Sequence, residues 1–212
     1  AFDQFAHRTG HTILERYGMS ETGMLCSNPC RPLDGERLSG SVGPSLPGVQ
    51  VRIVDDQQHP CPLEGAGHVQ VRGPNVFVGY LGMPDKTAES FTADGWFITG
   101  DVGRMDAQGY VHLVGRAKDL IISGGFNIYP REIEDFLLEQ PGIREAAIVG
   151  TSDPVRGEIP IAYVVADDTT DLAAIDGTVT ASFASFKRPR AYVRVESLPR
   201  TALGKVQKHL LP

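Results

Sequence analysis

Apolar and polar positions along this chain change period twice. Near the start, Phe2, Phe5 and Ala6 share one face at helical spacing, and Ile13-Leu14-Glu15-Arg16-Tyr17 predicts a short strand that opens into a loop at Gly18. From Pro29 to Pro47 the residues are mainly Gly, Pro, Ser and charged, which predicts a loop-rich connection. Between Val49 and Val114 the period becomes two. Val49, Val51 and Ile53 alternate with Gln50 and Arg52, and Val69 and Val71 with Gln70 and Arg72. The turn Asp106-Ala107-Gln108-Gly109 leads into a further strand, Tyr110–Val114. Short strands punctuated by Gly and Pro predict a small antiparallel barrel or meander.

After Gly115 strands alternate with helices. Leu120-Ile121-Ile122 reads as a β run ending at Gly124-Gly125. Pro130 opens a helix with Glu132 and Glu134 near its start and Ile133, Phe136 and Leu137 on one face, stopped by Pro141-Gly142. Strands are expected at 145–150, 159–166 and 191–195, a helix near 172–186, and a last short helix after Lys205. The fold class is therefore α+β, a barrel-like antiparallel region followed by a compact α+β layer, with domains at 1–116 and 117–212.

Composition narrows the possibilities. With 41% hydrophobic and 22% charged residues, the chain can bury a core, and wholesale disorder is excluded. A net charge of −6 argues against nucleic acid as the partner. The cysteines Cys26, Cys30 and Cys61 make an odd set without framework spacing, so free thiols in a reducing cytoplasm are expected. No apolar run approaches the ~20 residues of a membrane span. The start lacks both an initiator Met and a signal-peptide pattern, and the chain is expected to be part of something longer.

Four stretches carry candidate chemistry. In Tyr17-Gly18-Met19-Ser20-Glu21-Thr22, glycine admits close backbone approach, a hydroxyl can donate to a phosphate oxygen, and a carboxylate can hold Mg²⁺. Alone, it reads better as a Gly/Ser turn with a solvated Glu21. In Trp96-Phe97-Ile98-Thr99-Gly100-Asp101, an aspartate at a strand end can accept from a ribose diol, or simply cap an Asx turn. Arg116 and Lys118 stand at the boundary ahead of Ser123-Gly124-Gly125, a bare backbone surface or an ordinary hairpin turn. In Pro199-Arg200-Thr201-Ala202-Leu203-Gly204-Lys205, a mobile lysine can bring a point charge to an anionic reacting centre, or merely be solvated.

Together and in this order, the four stretches resemble the adenylate-forming superfamily of acyl-CoA synthetases, luciferases and adenylation domains. The wording around them, including Gly73-Pro74-Asn75-Val76-Phe77 and Gly124-Gly125-Phe126-Asn127-Ile128-Tyr129-Pro130, is most similar to the malonyl-CoA synthetases. The resemblance implies that residues 1–116 end the large AMP-binding domain and residues 117–212 form the mobile C-terminal domain. It implies ATP and coenzyme A as co-substrates, a small carboxylate (malonate favoured) as acyl donor, and Mg²⁺ on Glu21. Tyr17, Gly18, Ser20, Asp101 and Arg116 would bind nucleotide: Ser20 at the α-phosphate, Tyr17 beside adenine and Asp101 on the ribose. Lys205 would be the adenylation lysine, Lys118 the hinge, and Ser123, Gly124 and Gly125 the lining of the coenzyme A path. The family's Ser/Thr/Gly-rich phosphate loop does not occur in these residues. That loop and most of the acyl pocket are expected upstream in the same large domain, so the chain alone is expected to be inactive.

Overall fold

The period-two region becomes one four-stranded antiparallel sheet, preceded by a separate two-stranded one. In the computed structural model, which describes residues 2–211, helix α1 (Phe2–Thr9) leads to a hairpin of β1 (Arg16–Met19) and β2 (Gly23–Ser27). Ile13–Glu15 stay outside the strand, although the Glu15 carbonyl still accepts from the Asn28 amide at 3.1 Å and from Asn28 Nδ2 at 3.3 Å. Then come β3 (Gln50–Val54), β4 (Gly67–Arg72), the short helix α2 (Pro84–Glu89), β5 (Phe97–Met105) and β6 (Val111–Arg116). These four strands pair in sequence order as an open meander, so the barrel alternative is not realised. Tyr17, Leu25, Cys26, Ile53, Val69, Val71, Phe97 and Val111 form one buried cluster, which ties the hairpin to the meander.

One residue breaks the simple alternation. Gln70, expected on the polar face, is fully buried. Its amide group is satisfied there: the oxygen accepts from Arg52 Nε at 2.8 Å and the nitrogen donates to Gln58 at 2.7 Å. Burial of an amide is affordable only with such partners.

The chain separates into two compact units between Ala117 and Lys118. The second unit contains β7 (Ile121–Ser123), β8 (Phe126–Ile128), α3 (Pro130–Leu138), β9 (Ile143–Asp153), β10 (Gly157–Ala166), α4 (Leu172–Ser182) and β11 (Ala191–Arg194). The sheet order is β11-β10-β7-β8, with β9 also on β10; β10 and β11 are parallel and the other pairs antiparallel. Pro130 pre-sets the start of α3, and the Asp171 carboxylate caps α4 by accepting from Ala173 and Ala174. The second helix ends at Ser182, short of Phe186. Phe183 turns extended there and packs edge-on against Phe136, while Phe186 also returns to the core.

The sheet buries both faces. Ile133 and Leu137 of α3 and Ile175 and Val179 of α4 meet Ile148, Ala162 and Val164 in one cluster. In a separate cluster, Ala147, Tyr163 and Val165 meet Leu198, with Val206 and Leu211 packed against them. Alternate residues of β9 and β10 thus feed two cores, and the C-terminal segment is held by the second.

Candidate functional site

In the first unit the chemistry gathers at the β1–β2 turn and on β5 and β6. The register of β1 and β2 shifts between Tyr17 and Gly18. A Cβ on Gly18 would lie 2.2 Å from the Gly23 carbonyl oxygen, so glycine is required there by close backbone approach. The Thr22 amide donates to the Met19 carbonyl at 3.1 Å and closes the turn, leaving Ser20 exposed at its tip. Glu21 is held from the loop after β4. Its carbonyl accepts from the Phe77 amide at 2.8 Å, and its Oε1 accepts from the Tyr80 hydroxyl at 3.0 Å. Asn75 Nδ2 donates to the carbonyls of Thr22 (2.7 Å) and Met24 (3.1 Å), latching the same loop onto the turn. Burial first, and then Glu21, push the Tyr80 phenol above its usual range.

Asp101 lies inside β5 rather than at a strand end, just after Gly100, whose φ of 75° allows the ladder to kink. Arg116 is its register partner on β6, and the guanidinium Nε donates to Asp101 Oδ1 at 2.8 Å. The Tyr17 hydroxyl donates to the other oxygen in a short hydrogen bond. The Asp101 side chain is 7% exposed and that of Arg116 is 48% exposed, so the pair runs from a buried carboxylate out to solvent. Burial first, and then Asp101, raise the Tyr17 phenol well above the tyrosine range. Thr99 completes the support: its hydroxyl donates to the Val69 carbonyl at 2.8 Å and accepts from the Asp101 amide at 3.1 Å. Asp101 makes no Asx turn among the described residues: the partners of its two oxygens are the Tyr17 hydroxyl and Arg116 Nε, not a backbone amide.

Tyr17, Asp101 and Arg116 therefore form one network. Ser20 and Glu21 sit on the turn that follows Tyr17, with Glu21 bonded separately to Tyr80. Among the described residues no group of three His, Cys, Asp or Glu could cage a metal. One carboxylate suits Mg²⁺ nonetheless, since that ion keeps its waters and takes one or two carboxylates alongside substrate phosphates. Glu21 Oε2 has no hydrogen-bond partner among the described residues, so an acceptor oxygen is available there.

In the second unit Lys118 is exposed on a 3-10 turn, Ala117–Asp119. Ser123 is buried, and Gly124 and Gly125 make the two-residue turn between β7 and β8. Both have positive φ, 58° and 83°, as primed hairpin turns demand. No atom lies within 4 Å of where a Cβ on Gly125 would sit, so bare backbone is presented there, while the Gly124 amide donates to the Arg156 carbonyl at 2.8 Å. Lys205 is exposed on a different segment, within a turn closed by Thr201 N to Lys205 O and Gly204 N to Thr201 O, both 2.8 Å. Its ammonium has no ion-pair partner among the described residues. Tyr80, Asn75 and Thr99 were not singled out by sequence reasoning. Asn75 and Thr99 did stand in segments that carried the resemblance, which was the available signal.

A hydroxyl and a carboxylate thus stand on the tight turn that follows Tyr17, and Tyr17 and Arg116 brace a buried strand aspartate. Profiles described as AMP-binding enzyme and AMP-binding enzyme C-terminal domain match residues 1–81 and 132–205 respectively. The chain belongs to the AMP-binding, adenylate-forming enzyme family. It is 42% identical to a 2-succinylbenzoate–CoA ligase of Enterococcus faecalis over 94% of this chain and 41% of that protein. It is 38% identical to a malonate–CoA ligase of Arabidopsis thaliana over 97% of this chain and 35% of the relative. The crystal structure of ATP-bound MatB from Rhodopseudomonas palustris superposes with a TM-score of 0.91 at 46% identity, covering 99% of this chain and 42% of that one. The chain thus spans about two fifths of the length of these relatives.

Proposed function

We propose that these residues are the C-terminal part of an ATP-dependent acyl-CoA synthetase, most specifically one that converts malonate, ATP and coenzyme A to malonyl-CoA, AMP and diphosphate. In the first step a carboxylate oxygen of the acid attacks the α-phosphorus of ATP, and the bond to diphosphate breaks. In the second, the thiol sulfur of coenzyme A attacks the acyl carbon, the carbon–oxygen bond to AMP breaks, and the thiol proton is lost.

Asp101 would accept the ribose hydroxyls. An ionised carboxylate offers about four lone-pair positions, and Tyr17 and Arg116 use two of them. Ser20 would donate to the α-phosphate, and Glu21 would hold Mg²⁺, which supplies neutralisation of phosphate charge when bound. Lys205 would stabilise the charge that builds as the carboxylate approaches phosphorus. Lys118 would be the hinge that takes Lys205 away after adenylation and brings the bare turn at Ser123, Gly124 and Gly125 toward the thiol. In this reading residues 1–116 close the large domain, residues 117–212 are the mobile one, and the enzyme is cytoplasmic, in keeping with its three free cysteines.

The observation that carries the proposal is the division of labour among charged groups. Asp101 is buried with both oxygens engaged, while Lys205 is exposed with no ion-pair partner among the described residues. The malonate assignment is supported by the wording of the motifs and by a malonate–CoA ligase among the relatives. An aryl or fatty acid is the second reading, favoured by the higher identity to the 2-succinylbenzoate ligase. Malonate carries a second carboxylate that needs a cation, expected in the upstream part of the large domain.

The deciding experiment uses the full-length protein with ATP, coenzyme A and a panel of carboxylates, reading AMP release. Turnover with malonate and not with octanoate or 2-succinylbenzoate supports the specific reading. Turnover with an aryl or fatty acid alone replaces it, and no carboxylate-dependent AMP release removes the synthetase reading.

A further inference from the structure

The nine residues 200–208 carry three cationic side chains, Arg200, Lys205 and Lys208, and their environments differ. Lys208 Nζ lies 2.6 Å from Glu134 Oε1, on α3, and that oxygen also accepts from the Ile148 amide of β9 at 2.8 Å. Arg200 uses two nitrogens for two different purposes. Its Nη2 donates to Glu145 Oε2 on β9 at 2.5 Å, and its Nη1 donates to the carbonyl of Gly204 at 2.7 Å. Gly204 immediately precedes Lys205. The guanidinium therefore ties the turn that carries Lys205 to the rigid sheet beneath it.

The rest of the segment is built to make that tie decisive. Arg200 and Val206 form an isolated antiparallel bridge, and the Gln207 amide donates to the Pro199 carbonyl at 2.8 Å. Leu198, Val206 and Leu211 are the apolar feet, packed with Ala147, Tyr163 and Val165. Above these feet the turn stands in solvent, with Leu203 at 89% exposure. Gly204 has a φ of 83°, so the turn depends on a conformation that glycine adopts without strain. Nothing apolar fixes the direction in which Lys205 leaves the turn. Two side-chain contacts do: within the turn the Thr201 hydroxyl accepts from the Lys205 amide at 3.1 Å, and the Arg200 bond to the adjoining carbonyl carries the hold on to the sheet.

We propose that Arg200, braced by Glu145, is a positioning residue for Lys205. The proposal rests on the reading of Lys205 as the adenylation cation. The pair is 43% and 33% exposed, and ion pairs so open to water contribute little to stability. Its consequence is geometric. A lysine at position 200 could reach Glu145 or the Gly204 carbonyl, whereas the planar fork of arginine spans both at once.

The test measures the two half-reactions separately in the full-length enzyme: ATP–diphosphate exchange for adenylation, and thioester formation from a supplied acyl-adenylate. Arg200→Ala is expected to lower the adenylation kcat by about 10- to 100-fold, the scale of an ångström-sized misplacement. The KM for ATP and the second half-reaction should stay near wild type, and Arg200→Lys should recover only part of the loss. In a Lys205→Ala background, Arg200→Ala should cost nothing more, because the guanidinium acts through the lysine. Glu145→Gln tests the same brace from the sheet side if the arginine variant folds poorly. Equal loss in both half-reactions, a further loss in the Lys205→Ala background, or undiminished adenylation in Arg200→Ala and Glu145→Gln would each overturn the proposal. Full adenylation by Lys205→Ala itself would instead remove the underlying reading of that lysine, and the brace with it.

Discussion

Asp101 and Lys205 are opposite solutions to presenting a charge. Asp101 is fixed before any ligand arrives: it sits inside a strand, is buried to 7% exposure, and is bonded by Arg116, Tyr17 and, through its amide, Thr99. Lys205 stands on a solvent-exposed turn whose base is tied down at Arg200 and Lys208 while its own ammonium is left without an ion-pair partner among the described residues. The first arrangement suits a group that holds the same hydroxyls throughout a reaction. The second suits one needed in only one step, since a lysine committed to a buried carboxylate would have to break that pair at each turnover.

The contrast can be broken most forcefully at the lysine. Lys205→Ala is expected to lower adenylation by about 10²–10³-fold, the usual cost of losing one preplaced transition-state contact, and to spare thioester formation from acyl-adenylate. Because the side chain is exposed and makes no ion pair among the described residues, unfolding free energy should move by no more than about 0.5 kcal/mol. A drop in thermal stability together with both half-reactions would show that Lys205 is a structural residue.

Asp101 should behave in the reverse way. Asp101→Ala leaves the buried Tyr17 hydroxyl without its acceptor, a loss of about 1–3 kcal/mol, while the half-exposed Arg116 regains water and adds little. Trp96 is the single tryptophan and lies in the first unit at 9% exposure, so its fluorescence during urea unfolding reports on that unit alone. The Asp101→Ala midpoint read at Trp96 should fall. An unshifted Asp101→Ala curve would mean that the Tyr17–Asp101–Arg116 network does not hold the unit together.

How legible these sites were follows from sequence distance. Gly18, the Gly124-Gly125 turn and the Lys205 turn announce themselves because local backbone geometry requires particular residues in a short run. The meander was legible in the alternation of Val51 and Ile53 with Arg52. The partners that give each charge its character were hidden. Tyr17 is 84 residues from Asp101, Tyr80 is 59 from Glu21, and Arg200 is 55 from Glu145. No periodicity encodes such pairings, which appear only once strands and loops are brought together. Gln70 shows the limit from the other side. Its place in the alternation is polar, but Arg52 and the 55–59 loop close over it, and hydrogen bonding rather than pattern decides its burial. The six-residue helix α2 escaped prediction because it is too short to display a period.

The smallest expected effect probes how tightly the fixed side is built. Tyr17 has a folded-state phenol raised above the ordinary value of 10.0, first by burial and then by its bond to Asp101. Ionisation is therefore easier in the unfolded chain than in the folded one. The contribution to stability is fully present below pH 10 and is lost as pH climbs from there through the raised folded value, because the unfolded state is the one that releases its proton. Tyr17→Phe cannot ionise, so although it is less stable near neutrality by the loss of one hydrogen bond, its stability should depend less on pH above 10. Urea midpoints followed at Trp96 between pH 8 and the alkaline limit of the fold would converge for the two proteins. Parallel curves would mean that the Tyr17 hydroxyl reaches solvent, and that Asp101 is less rigidly held than its geometry implies.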